Sequence, residues 1–424
     1  MILRRYLPLI VLVVMYSCDK KITKSEDYNT YLDTKIDSTE LMQSAQFWTD
    51  KLQNGPNQFP YLAKRASAYT QIFNTTGNIS YLIKAEEDLV KAIEMTGGKQ
   101  ASYLKILASN YISQHRFKEA LELLKKAEEN GENLTGTKKM LFDVYLELGD
   151  YLKAESYLFQ IKNTSDFDYL IRLAKWQDHN GNLEKAIENM EAAAKIAESS
   201  NLKSNKQWSY TNLADFYGHA GEIEKSYQYY LKALELDTND AHAKRGIAWI
   251  AYSYEKNPEE ALRILNHVTS YYEAPDYNLL KAEIAEFKSD DKLKENALKD
   301  YQKSVANKLY GDMYNKYNVL LLIEDLKRRE EAIAIALEEV ENRPTPESYD
   351  LLAWSYFKQG DIEKAYAIVV KHIEGQTFEP EVLYHIAEIY KAAGKEEQVM
   401  PIKEELLASL YELGPTMEAK IKQL

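Results

Sequence analysis

An all-α solenoid of about ten helix hairpins is the fold class that this sequence predicts, and three observations predict it. Turn formers are scarce, with 10 Pro and 16 Gly in 424 residues, so helices with short connections are favoured over loops or sheets. Apolar residues recur at offsets of three and four, as in Leu104, Leu107, Ala108 and Tyr111, or Tyr349, Leu352, Ala353 and Tyr356. That spacing is one face of a helix. A small or slim residue also returns at a near-constant interval: Ala85, Ala120, Ala154, Ala186, Ser226, Ala261, Ala297, Ala332, Ala365 and Val399, spaced by 32 to 36 residues with one gap of 40. Hydrophobic residues make up 45% of the chain, enough for an extended core, and the 33 Tyr supply large side chains with a polar tip to many small helix interfaces.

The chain opens with Arg4 and Arg5, then an apolar run from Tyr6 to Met15. A run of that length falls short of the about 20 residues that span a bilayer and suits the apolar region of a signal peptide. Ser17 precedes Cys18, the one cysteine in the chain, and charge begins at Asp19. The segment resembles a bacterial lipoprotein signal of the kind found in Bacteroidota, with Met15 in place of the usual Leu and a bulky Tyr16 as a departure. The resemblance implies cleavage after residue 17 and acylation of Cys18, placing the protein in the cell envelope on a membrane, facing the periplasm or the cell surface. Residues 18–38 are polar and lack periodicity, and read as a flexible tether. Residues 39–59, with Phe47, Trp48 and Leu52, read as an N-terminal capping helix.

Residues 60–408 form the repeat array. Gly149-Asp150-Tyr151-Leu152-Lys153-Ala154 is echoed by Gly181-Asn182-Leu183-Glu184-Lys185-Ala186, by Gly221-Glu222-Ile223-Glu224-Lys225-Ser226 and by Gly360-Asp361-Ile362-Glu363-Lys364-Ala365. Glycine supplies the left-handed conformation that ends a first helix. The small closing residue lets the second helix approach the first. These residues resemble the tetratricopeptide repeat, whose period is 34 residues. The resemblance implies a right-handed superhelix with a concave face built from the first helix of each pair. The units around Ala332 and Val399 depart from the pattern, with Glu339 and Lys403 where small or aromatic side chains are usual. The gap of 40 falls at the polar stretch Ser199 to Lys206, read either as a hinge between two halves or as a longer second helix. Residues 409–424 read as a C-terminal cap and tail.

Composition and motifs exclude several kinds of function. The net charge is −13, and removal of residues 1–17 makes it more negative by two, so the surface repels phosphate backbones and nucleic acid is not expected as a partner. One cysteine excludes an internal disulfide and a multi-cysteine zinc site. The sequence contains no H-E-x-x-H helix, no G-x-S-x-G elbow and no G-x-G, and Gly97-Gly98-Lys99 lacks the rest of a phosphate loop. The repeats leave no room for a catalytic domain, so neither an enzyme nor a cofactor or metal is expected.

The resemblance places Lys105, Lys139, Asp143, Lys175, Asp178 and His179 on the concave face in the first half. In the second half it places Trp208, Asp215, His219, Tyr254, Tyr314, Tyr317, Asp350, Trp354, Phe357 and Tyr384 there. The candidates for binding are Lys105, Lys139, Lys175, Trp208, Tyr254, Tyr314, Tyr317, Trp354, Phe357 and Tyr384. Aromatic side chains on a concave wall suit the apolar anchors of a peptide or helix. Lys105 is followed by Ser109 and Lys139 by Asp143, so the carboxylate clamp of some tetratricopeptide proteins is not reproduced. His179 and His219 share a position in successive units, but the extended stretch between those units disfavours a shared metal. The resulting expectation is a lipid-anchored scaffold for protein or peptide partners. A carbohydrate-binding lipoprotein on the same framework is the alternative, weakened by short loops and only five Trp.

Overall fold

The computed structural model describes residues 21–34 and 38–424. Helix α1 (Ser25–Leu32) and helix α2 (Thr39–Asn54) precede ten consecutive pairs. The first five are α3 (Phe59–Thr76) with α4 (Ile79–Met95), α5 (Ala101–Ser113) with α6 (Phe117–Asn130), α7 (Leu134–Glu147) with α8 (Tyr151–Gln160), α9 (Phe167–His179) with α10 (Leu183–Ser200), and α11 (Lys203–His219) with α12 (Ile223–Leu236). The second five are α13 (Ala241–Trp249) with α14 (Pro258–Val268), α15 (Asp276–Phe287) with α16 (Asp291–Val305), α17 (Asn315–Leu322) with α18 (Arg329–Asn342), α19 (Pro346–Gln359) with α20 (Ile362–His372), and α21 (Pro380–Ala392) with α22 (Glu396–Ala408). Short helices α23 (Leu410–Leu413) and α24 (Met417–Gln423) close the chain. No strand occurs among the described residues.

The ten closing residues, from Ala85 to Val399, each fall in the second helix of successive pairs, and all are buried. After three of the four hairpin glycines the next residue caps the second helix, whereas Glu222 makes no side-chain cap on α12. Asp150, Asn182 and Asp361 cap α8, α10 and α20 by accepting the backbone N–H of Lys153, Lys185 and Lys364. A cap of this kind is worth about 1 kcal/mol. The gap of 40 lengthens helices instead of making a hinge. Helix α10 runs to Ser200, α11 starts at Lys203, and Asn201, at φ 51°, turns the chain between them.

The segment read as a flexible tether is in part a docked helix. The backbone N–H groups of Ile22 and Thr23 both donate to Glu255 Oε1, at 2.7 and 2.5 Å, and Thr23 Oγ1 donates to Glu255 Oε2 at 2.8 Å. Tyr28 is buried and donates its hydroxyl to Glu260, while Arg263 donates to Asn29 at 2.8 Å. Tyr28 and Leu32 join the core formed by α12, the π-helical turn Ile250–Tyr254 and α14. The polar composition of residues 21–34 hid this, because the partners that satisfy it lie more than 200 residues away. Residues 1–17, read above as a signal, and Cys18 lie outside the described residues. The tail beyond Pro415 is also helical: α24 packs on α22, and Ile421 is fully buried.

The array winds back upon itself. Arg343 Nη2 donates to Glu147 Oε2 at 3.1 Å across a sequence separation of 196 residues. Near-equal separations recur along the seam. The Glu273 N–H donates to the Thr76 carbonyl at 2.8 Å, the Phe378 ring lies against Gly181, and the Tyr411 ring lies against Gly218. Hairpin tips of the first turn thus abut the connections between pairs in the second. Gly149 serves both purposes. Its φ of 73° ends α7, and a Cβ there would stand 2.9 Å from the Pro344 carbonyl oxygen.

Candidate binding surfaces in the lumen

Close winding decides which concave positions remain open. In the first turn, α5, α7 and α9 line an open hollow of about 800 Å³ that includes Lys105, Ile106, Met140 and Lys175. Ile106 is exposed, and Lys105 and Lys175 stand at the margin. Lys175 donates to Glu147 at 2.8 Å. Burial lowers its pKa, but the charges of Glu147 and Asp143 outweigh this and raise it. Lys139 is not a groove residue. It is buried, with Nζ 2.9 Å from Asp166 and 3.0 Å from Asp168, and Asp166 also caps α9. The ammonium ties the start of one pair to its predecessor.

The second-half aromatics divide in the same way. Trp208 and Tyr254 are exposed, and Trp208 meets Phe167 edge to face. Tyr317, Phe357 and Tyr384 are half-buried, and the Tyr384 hydroxyl donates to Glu388 at 3.1 Å. Tyr314 and Trp354 are buried, which corrects their expected place as accessible anchors. Tyr314 packs among Tyr301, Tyr310 and Tyr317. Trp354 is stacked between Phe357, at 5.0 Å, and His385, at 4.0 Å. Helix periodicity put Trp354 on the correct face, whereas Tyr314 stands in the turn before α17. Tight winding then turned part of that face into contact between neighbouring pairs.

A second hollow, of about 330 Å³, lies between the two turns where α11 and α13 face the start of α21 and the α23 segment. Gly246 positions one wall: a Cβ there would lie 2.1 Å from Tyr230 Cζ, so the Tyr230 ring lies directly against α13. The Tyr230 hydroxyl donates to Asp215, whose other oxygen is 2.9 Å from His242 Nε2. Burial works against both charges, but their mutual hydrogen bond prevails, lowering the Asp215 pKa and raising that of His242. Burial raises Glu379 and Glu412, and neighbouring carboxylates add to the rise, while His219 opposes it at both and Lys316 at Glu379. This part of the lumen is acidic, in contrast to the lysine-edged hollow of the first turn.

His242 and Arg245 escaped the sequence reading. With Trp249 they form a stripe at offsets of three and four on α13, the signal that could have found them. The His179 ring lies tilted against Tyr151, 4.3 Å between centroids, whereas His219 lines the second hollow. Among the described residues, no group of three or more His, Cys, Asp or Glu is placed to hold a metal ion.

Repeated helix pairs closed by a buried small residue, wound around a concave lumen, define an α-solenoid of the repeat-scaffold class. Residues 209–240 match the family model for the tetratricopeptide repeat, and the other pairs of the array follow the same plan. No curated protein matches the chain. Solved structures resemble it more distantly. A tetratricopeptide repeat protein from Parabacteroides merdae is 17% identical, with 69% of this chain and 97% of that one covered and a TM-score of 0.35. PilF from Pseudomonas aeruginosa is 15% identical, with 49% and 96% covered and a TM-score of 0.37. A monomeric mutant of IFIT1 with Gppp-AAAA is 16% identical, with 80% and 76% covered and a TM-score of 0.46. With every TM-score here below 0.5, the repeat assignment rests on the matched segment and on the hairpins themselves.

Proposed function

We propose that the protein is a scaffold that docks protein or peptide segments in its lumen, anchored to a membrane of the bacterial envelope by acyl chains on Cys18. The observation that carries docking is the open hollow across α5, α7 and α9, where exposed Ile106 lies near Lys105 and Lys175. Apolar side chains beside Lys105, with Lys175 paired to Glu147, suit a segment that combines apolar anchors with an acidic residue. Anchoring is supported by the sequence from Arg4 to Cys18. No helix among the described residues is long and apolar enough to cross a membrane. Two or three acyl chains hold a protein on a bilayer nearly permanently, at about 0.8 kcal/mol per buried methylene.

Crosslinking in intact cells from a photoreactive residue at position 109, exposed on the same hollow, followed by mass spectrometry, tests docking. Specific partners that are lost with Ile106→Glu are expected. Recovery of the same partners from Ile106→Glu at unchanged yield would remove this hollow from consideration.

A further inference from the structure

We propose that the tyrosine-walled hollow beside Arg245 binds a small zwitterion of amino-acid size, with its carboxylate on Arg245 and its cationic amine toward Asp276. This goes beyond the docking reading and does not depend on it. The hollow, of about 290 Å³, is lined by Arg245, Asp276 and the rings of Tyr272, Tyr277, Tyr310 and Tyr314. That volume is close to the lower end of the range for small-molecule sites, about 300–1,000 Å³.

Arg245 is the reason to expect an anion. Its Nε is buried and meets no acceptor among the described residues, and its guanidinium carbon lies 5.9 Å from the centroid of the Tyr277 ring. Three other lumen cations have partners: His242 has Asp215, Lys316 has Glu381 and Lys175 has Glu147. A buried donor without an acceptor carries a desolvation cost that a ligand oxygen would remove, and a guanidinium fork fits a carboxylate in two places. Asp276 is the reason to expect an amine as well. It lines the same hollow, and no ion pair joins it to Arg245 or to any other described residue. A simple anion would face repulsion from Asp276. A zwitterion satisfies both charges at once, and tyrosine rings add attraction for the ammonium group.

Isothermal titration of the full-length protein with each standard L-amino acid and with glycine betaine tests the proposal. Saturable binding of at least one is expected, weakened tenfold or more by Arg245→Gln and by Asp276→Asn. The methyl ester of the same ligand, which has no carboxylate charge, should bind wild-type protein at least tenfold more weakly. That comparison stands even if a variant fails to fold, which thermal melting reports. Absence of saturable binding by every zwitterion would overturn the site. So would equal binding of ligand and ester, or acetate binding as tightly as the zwitterion.

Discussion

Arg343 reaches back 196 residues to Glu147, donating from Nη2 to the carboxylate at 3.1 Å and from Nε to the backbone carbonyl at 3.3 Å. Glu147 also receives Lys175 at 2.8 Å. Burial raises the Glu147 pKa, but the two cations outweigh it and hold the group below its ordinary value. One carboxylate therefore joins two successive turns of the array. An ideal solenoid couples only nearest neighbours. Here, damage in one turn is transmitted to the next.

Arg343→Ala should cost about 1–2 kcal/mol, the scale of a charge-assisted hydrogen bond discounted for partial exposure. Hydrogen exchange should rise at both the α7–α8 tip and the α18–α19 connection. Exchange that changes only around residue 343 would mean that the seam carries no coupling. The Glu147 contribution is present above the ordinary carboxylate range and is lost as pH falls through the depressed folded-state pKa.

Gly246→Ala should be severely destabilising for a surface-length change of one methyl. The new Cβ would stand 2.1 Å from Tyr230 Cζ, so the ring must leave Asp215 or the two helices must separate. Overpacking of this kind costs about 1–3 kcal/mol. Tyr230→Leu in the same chain should recover part of the loss in a thermal melt, and a double variant no more stable than Gly246→Ala alone would refute the assigned contact.

Glu283 gives the fold a pH dependence of predictable sign. Burial, with neighbouring Glu286 adding to it, raises its pKa from 4.5 to about 7, against the hydrogen bond from Tyr252 at 3.0 Å. The folded state holds this proton more tightly than the unfolded chain, so stability declines as pH rises from about 4.5 to about 7. Glu283→Gln should remove that decline. Melting temperatures of both proteins at pH 5 and pH 8 check it: an unchanged difference between the two pH values in the variant would show that another group is responsible.

Glu255 clamps the N-terminal segment, and Glu255→Ala should release it. Limited proteolysis should then cut within residues 21–34 faster than in wild type, and the melt should fall as Tyr28 and Leu32 leave the core of α12 and α14. In cells, Cys18→Ala should block maturation and move the protein out of the detergent phase. Identical partitioning of both forms would remove the lipid anchor from the proposal.

Trp354→Ala should melt early and by about 3–5 kcal/mol locally, the cost of deleting a large buried aromatic. Ile106→Glu should leave the melt nearly unchanged. Circular dichroism of the two variants separates a packing residue from a surface one, and the reverse order would mean that the lumen opens at Trp354 in solution.

Much of the architecture was legible because its causes are local. The closing residues Ala85 to Val399 recur at hairpin spacing, and helix periodicity marks the buried stripe of each helix without reference to distant residues. The cap residues Asp150 and Asp361 act within three positions of themselves. The site was less legible. Lys105 and Lys175 were placed on an open concave wall and line one, whereas Lys139 and Trp354 share that helical face and are buried, and Tyr314 is buried in the turn before α17.

The sequence by itself determined the number of hairpins, their order and the close helix contact in each, since each depends on residues within one repeat. Only the tertiary structure decided that the array closes on itself after 196 residues, that residues 21–34 dock on α12 and α14, and that Arg245 stands without an acceptor in a tyrosine-walled hollow. Those features depend on the small rotation between successive pairs. Summed over the array, that rotation brings residues nearly two hundred positions apart into contact, and no single repeat encodes it in a form that periodicity reveals.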